Sequence, residues 1–263
     1  MQTEDILHKI QQTKKYKNLS KDTIKRIIHW AELRYQKPKE IIKEAKNKLH
    51  QIYGAYLENS EIKQVTGLIN KLSKDESSIK EISLQIQNLH TSSKERIPII
   101  ETVYSSIFSI TGVPNSILDI ACGFNPFAIP FMPQKGHLDY YAQDIDIVEI
   151  ELINKFFEKI GFPPNAKCND VLIEIPDIET DISFVFKTLP VLEQQEKKYS
   201  KKLIENLKSK YIVASFPTKT LCGKKIGMST NYEGFITELT KELNINYQKL
   251  SFINEDFYII KKE

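Results

Sequence analysis

No apolar run in the 263 residues approaches the roughly 20 that a membrane-spanning helix needs. The N-terminal stretch MQTEDILHKIQQTKKY has no continuous apolar core of the kind a secretory leader carries, so a cytoplasmic protein is expected. Cysteine is scarce: Cys122, Cys168 and Cys222 stand tens of residues apart. That spacing and odd count suit neither a zinc knuckle nor a disulfide framework, and reduced thiols are expected. The five histidines show no metal-binding spacing, which argues against a bound metal. Internal repeats and low-complexity tracts are also missing.

What is present is unevenly spread. Residues 1–50 carry 13 Lys or Arg against 6 Asp or Glu, whereas residues 101–263 carry 18 against 22. A basic excess confined to the first fifth of a chain suits contact with a polyanion, or equally a solvated lysine-rich helical surface. Apolar spacing predicts helices throughout the first 110 residues. Ile24, Ile27, Ile28, Ala31 and Tyr35 form one stripe behind a Ser20 cap. Pro38 opens a second helix striped by Ile41, Ala45, Leu49 and Ile52. Shorter helices are expected near residues 60–73 and 77–88. Ser92 and Glu95, spaced as a capping box, begin another that runs to about Ile110 across Pro98.

After Gly112 the pattern alternates. Strands are expected at SILDIA, DYYAQDI, NAKCND, DISFVFK, YIVASF, YQKLSFI and DFYIIKK, with helices near residues 126–133, 147–160, 193–208 and 231–243. Such alternation implies a mostly parallel sheet covered on both faces. The last two strands, separated by Asn254 and Glu255, read as a hairpin, so one should run antiparallel. The expected fold is therefore α/β. Its seven strands match the Rossmann-like sheet of class I methyltransferases, preceded by an all-helical N-terminal domain. The boundary is placed near residues 111–115, giving 1–112 and 113–263.

Ligands of open α/β sheets bind beyond the strands' carboxyl ends. The first such turn here, CGFNP, lacks the G-x-G-x-x-G that frees a helix N-terminus for a pyrophosphate. A nucleotide-like cofactor without a pyrophosphate fits better, and S-adenosylmethionine is one. Ala121 and Gly123 would form the turn. Asp119 is either the organiser of that loop or a partner for the cofactor's ammonium group. Asp144, 21 residues after Gly123, is the candidate acceptor for the ribose hydroxyls, since one carboxylate takes two donors; Asp146 is the second choice. Asn169 and Asp170 end the third strand, where Asp170 and the Val171 amide would meet adenine.

Six stretches resemble the aminoglycoside-resistance methyltransferases that act on 16S ribosomal RNA at N7 of guanine-1405. They are KLHQIYGAYL (48–57), HTSSKER (90–96), ILDIACGFNPFAIPFM (117–132), YAQDID (141–146), FKTLPVLEQQ (186–195) and SFPTKTLCGKKIGM (215–228). The resemblance implies that His90, Thr91, Ser92 and Arg96 lie over the cofactor, Arg96 pairing with its carboxylate. It also implies that Tyr56, Phe186 and Gln195 flank the cofactor. One departure stands out, since the family pattern D-x-G-C-G-x-N-P has glycine where this chain has Ala121. Alanine keeps the turn if its φ is negative, so a slightly altered fit is expected. Guanine N7 has a lone pair and no proton, so no acid or base residue is expected, only positioning. Phe124, Phe186 and Phe216 are candidates to hold a flipped base. Lys39, Lys43, Lys46 and Lys48, with Lys219, Lys224 and Lys225 after the fifth strand, are candidates to meet RNA phosphates. The implied substrate is 16S rRNA within the 30S subunit, met by a monomer with no protein partner and no membrane. Two alternatives remain at this point: a class I methyltransferase of a small molecule or protein, and a non-catalytic RNA-binding assembly factor.

Overall fold

The computed structural model describes residues 3–53, 57–218 and 228–262. At the N-terminus α1 (Thr3–Gln11), α2 (Lys21–Glu32) and α3 (Pro38–Ile52) pack their apolar stripes together. Ser20 caps α2 by accepting the Thr23 amide, and Pro38 sits in the first turn of α3. Ile24, Ile27, Ile28, Ala31, Ile41, Ala45 and Leu49 are buried, as an amphipathic stripe requires.

Two short helices follow, α4 (Asn59–Asn70), with a Glu58–Glu61 capping box, and α5 (Glu76–Gln87), capped by Asp75. The single helix expected from Ser92 to Ile110 is broken instead. A short α6 (Thr91–Lys94), started at His90, gives way to a 3-10 turn at Ile97–Ile99 around Pro98, and then to α7 (Ile100–Thr111). Proline lacks the amide that a continuous helix would need there.

The strands are β1 (Ser116–Ile120), β2 (Asp139–Asp144), β3 (Ala166–Cys168), β4 (Thr180–Phe186), β5 (Ser209–Pro217), β6 (Tyr247–Ser251) and β7 (Glu255–Lys261). They form one sheet in the order β3-β2-β1-β4-β5-β7-β6, all pairings parallel except those of β7. The expected hairpin is present. Its turn is Phe252–Asn254, closed by the Phe252 amide on the Glu255 carbonyl. Glu255 is therefore the first residue of the last strand and not a turn residue.

A 3-10 turn (Asn125–Phe131), α8 (Ile147–Ile160), α9 (Leu189–Gln195), α10 (Tyr199–Asn206) and α11 (Met228–Leu243) cover the sheet. The helix expected across 193–208 is thus two helices, separated at Glu196–Lys198, where Lys198 adopts a left-handed φ of 65°. Successive β1 residues point to opposite faces. Ile117 packs with α4, α5, α7 and α8, and Leu118 and Ile120 pack with α9, α10 and α11. Helices give way to strands at Gly112, but cores do not divide there. Val65, Ile82, Val103 and Ile107 share one core with Ile117 and Phe184 of the sheet, while α1–α3 have a core of their own. Measured by packing, the separate N-terminal unit ends near Tyr53.

Candidate functional site

The strand order reverses between β1 and β4, and a cavity of about 890 Å³ opens beyond the carboxyl ends of these strands. This is where an open α/β sheet leaves room for a ligand. Residues 121–125, 143–145, 169–171 and 186–188 line it from the strand ends; Arg26, Tyr53, His90 and Arg96 close it from the helices. A more open recess of about 790 Å³ between α5, α7 and Pro130–Gln134 includes no strand end.

The turn after β1 differs from expectation at one residue. Ala121 has φ +50°, in the left-handed region where a Cβ is strained, and Gly123 has φ +47°. The condition set for alanine, a negative φ, is not met. The turn nonetheless closes: the Gly123 amide donates to Asp144 Oδ2 at 2.9 Å and the Cys122 amide to the Gln143 carbonyl at 3.0 Å.

Asp144 and Asp146 have separate tasks. Asp144 lines the cavity half-buried, its Oδ1 accepting the Ile145 amide at 2.7 Å. Burial raises its pKa against the pull of these amides. Asp146 is not among the residues that line the cavity. It caps α8 through the Val148 and Glu149 amides, at 2.8 and 3.0 Å, and accepts the Tyr53 hydroxyl. Glu149 was missed by the sequence reading. Its buried carboxylate lines the same cavity and makes no hydrogen bond within the described residues. Burial, with Asp144 and Asp146 nearby, pushes its pKa well up. An acidic residue in a helix's first turn reads merely as a complement to the helix dipole, so nothing in the sequence singled it out.

Beneath the turn lies a buried polar network, in which Asp119 Oδ1 has no hydrogen-bond partner among the described residues. Asp119, 1% exposed, accepts Tyr140 Oη at 2.6 Å and Asn125 Nδ2 at 2.9 Å. It does not line the cavity, and the two bonds it accepts tie Asn125 of the turn to Tyr140 of β2. Burial pushes its pKa up to about 7 against those two hydrogen bonds. Asn125 Oδ1 in turn accepts Tyr104 Oη at 2.6 Å and Arg96 Nη1 at 2.7 Å. Arg96, expected over the cofactor, is buried and paired. Its Nε and Nη2 donate to Glu255 at 2.9 and 3.2 Å. Burial works against both charges, yet each partner favours the other's ionised form: Arg96 is raised and Glu255 held below the usual carboxylate range. Arg96 still borders the cavity, with its guanidinium 4.9 Å from the Phe186 ring centre.

At the opposite end, Asp170 is buried in the turn after β3. Its Oδ1 accepts the Leu172 amide at 3.0 Å and its Oδ2 accepts Arg26 Nε at 2.9 Å. Arg26 also donates to Gln195 Oε1 at 2.8 Å. Val171 is buried beside them, its carbonyl accepting the Tyr199 hydroxyl.

Of the three aromatic candidates, Phe124 and Phe186 line the cavity, Phe124 stacked on His90 at 5.0 Å. Phe216 does not. It is 1% exposed in the core on the sheet's other face, packed on Tyr232, Phe235 and Tyr258. Lys39 and Lys43 are exposed on α3 and Lys46 is half-buried. Lys48 is turned inward, Nζ donating to the Gln194 carbonyl at 3.1 Å and lying 5.4 Å from the Trp30 ring centre. Tyr56, Lys219, Lys224 and Lys225 lie outside the described residues, as do the side chains of Thr91 and Ser92. Within the described residues no His, Cys, Asp or Glu cluster could hold a metal ion, and no helix is long and apolar enough to cross a membrane.

A family model described as ribosomal RNA methyltransferase (FmrO) matches residues 12–260. A 16S rRNA (guanine(1405)-N(7))-methyltransferase from Proteus mirabilis is 36% identical over 98% of this chain and 97% of its own. An enzyme of the same name from Micromonospora echinospora is 30% identical, with 98% of each covered. Among solved structures, the 16S rRNA methyltransferase RmtF in complex with S-adenosyl-L-homocysteine superposes with a TM-score of 0.86 at 27% identity, covering 99% of this chain and 98% of that one. The 16S rRNA methylase RmtB gives 0.83 at 29% identity, covering 100% and 99%.

Proposed function

The chain belongs to the ribosomal RNA methyltransferase (FmrO) family, and from that premise we propose that it transfers a methyl group from S-adenosylmethionine to N7 of guanine-1405 in 16S rRNA. The observation that carries this is the full-length match to enzymes of that name, together with a cavity at the strand-order reversal.

The residues present fit the cofactor. Carboxylate acceptors at Asp144, Glu149 and Asp170 face the cavity, and the turn at Gly123 lets a ligand approach the backbone closely. Asp144 would take the ribose hydroxyls; Asp170 and the Val171 amide would take the adenine edge. Arg96 is held by Glu255, Asn125 and Tyr104, and an N–H of the same guanidinium at the cavity border would meet the carboxylate. His90 and Gln195 complete the walls. When bound, S-adenosylmethionine supplies an electrophilic sulfonium methyl group. The protein's part is to hold the guanine N7 lone pair in line with it, with Phe186 and Phe124 as the rings available at the cavity. Since N7 carries no proton, no side chain is assigned as acid or base.

The natural substrate would be the 30S subunit in the cytoplasm, with Lys39, Lys43 and Lys46 meeting phosphates. Purified protein with labelled cofactor should methylate 30S subunits at guanine-1405, and methyl transfer only to free metabolites would overturn the reading. Expression in a susceptible bacterium should give high resistance to gentamicin-type and little to apramycin-type aminoglycosides.

A further inference from the structure

Arg26 stands on α2 among the basic residues of the N-terminal unit, yet its charge does not face outward. Its Nε and Nη2 both reach Asp170 Oδ2 at 2.9 Å, and Nη2 also donates to Gln195 Oε1 at 2.8 Å. These partners lie 144 and 169 positions away in the chain, in the turn after β3 and at the end of α9. The Asp170 side chain is 5% exposed and that of Arg26 24%. All three residues line the main cavity. Around them the N-terminal unit is stitched to the same edge. The Ser20 amide donates to the Ile145 carbonyl and the Ile147 amide to the Asn18 carbonyl, both at 2.9 Å, and Lys48 reaches the Gln194 carbonyl.

A buried carboxylate is a useful recognition group only if it cannot rotate. Arg26 holds Asp170 in place, because its planar fork pairs with the side chain and fills Oδ2. The Leu172 amide takes one site on Oδ1, which leaves one further lone-pair direction on that oxygen. An acceptor held in this way welcomes an amino group and opposes a carbonyl oxygen. Gln195 is oriented by the same guanidinium, its Nε2 donating to the Val191 carbonyl at 3.3 Å.

We propose that Arg26 of the N-terminal helical unit is a positioning residue of the cofactor pocket, locking Asp170 and Gln195 so that the pocket selects a purine bearing a 6-amino group. This rests on the assignment of the cavity to S-adenosylmethionine. The N-terminal unit then completes the adenine end of the cofactor site in addition to any part it has in RNA binding.

Calorimetry on the full chain tests the proposal with S-adenosylhomocysteine and its 6-oxo analogue S-inosylhomocysteine. Wild-type protein should prefer the amino form by about a hundredfold or more, since the oxo form leaves a buried acceptor facing another acceptor. Arg26→Met should weaken S-adenosylhomocysteine binding by about tenfold or more and reduce the preference by a similar factor. Arg26→Lys, which keeps the charge and loses the fork, should recover part of both. A purely structural residue would weaken both ligands equally. Unchanged affinity and preference in a folded Arg26→Met protein would overturn the proposal. So would a fall of about one in the salt slope of 16S RNA binding with cofactor binding intact, the mark of a phosphate contact. If Arg26→Met does not fold, wild-type affinity and preference in Arg26→Lys would overturn it as well. Wild-type protein that binds no S-adenosylhomocysteine would instead overturn the methyltransferase reading itself.

Discussion

The two ends of the cavity are built differently. At one end Arg96, Glu255, Asn125, Asp119, Tyr104 and Tyr140 form a continuous network, every member of it buried and drawn from elements that share the sheet's core. At the other end Arg26, Asp170 and Gln195 join two separately packed units, and Arg26 is partly open to solvent. The first end is inseparable from folding, because each of its charges was taken out of water when the sheet formed. The second end can be loosened with less damage to the core. Substitutions at the first should therefore register chiefly as lost stability, and at the second chiefly as lost ligand affinity.

The largest effect should come from Glu255→Ala, which strands the Arg96 charge in the core. A loss of about 3–5 kcal/mol in unfolding free energy is expected, read from urea melts; a loss below about 1 kcal/mol would break the comparison. Next is Asp144→Ala, where the two ends meet. It should weaken S-adenosylhomocysteine binding by about a hundredfold in calorimetry, at a smaller cost in stability. The pH dependence separates two carboxyls of the buried network. Asp119 has its folded pKa raised to about 7, above the roughly 3.9 of an unfolded aspartate. Its favourable contribution is therefore full below pH ~3.9 and lost as pH rises through ~7. Asp119→Asn should gain stability relative to wild type over that window, followed by urea midpoints. Glu255 has the opposite sign. Its folded pKa lies below its ordinary value, so its contribution is present above pH ~4.5 and falls away in acid. The smallest effect is expected from Ala121→Gly. It relieves a left-handed alanine at φ +50° and adds about 0.5–1 kcal/mol after the entropy of glycine is subtracted.

Much of this architecture was legible along the chain. The stripes of α2 and α3 are spaced at the helical period, and the seven strands with their closing hairpin emerged from alternation and run length. Asp144 was separable from Asp146 by its distance from Gly123, and the structure places Asp144 on the cavity and Asp146 on a helix cap. Other residues were misread because local patterns cannot show which face of a sheet a strand end meets. Phe216 is core on the opposite face from Phe186. The all-helical first 112 residues looked like one domain because helicity is a local property. The core to which each helix belongs is not, and α4, α5 and α7 pack on the sheet.

Taken alone, the sequence determined the fold class, the strand list, the cofactor-type turn without a pyrophosphate cradle and the basic leader. All of these rest on residues within a few turns or one strand of each other, where periodicity and backbone preference act directly. Tertiary structure alone decided the charge partners. Arg96 meets Glu255 across 159 positions and Arg26 meets Asp170 across 144. A charged side chain carries no mark in the sequence of the opposite charge that will neutralise it once water is excluded. Packing makes that choice, and it made Arg96 a buried anchor of the fold and Arg26 a wall of the cofactor cavity.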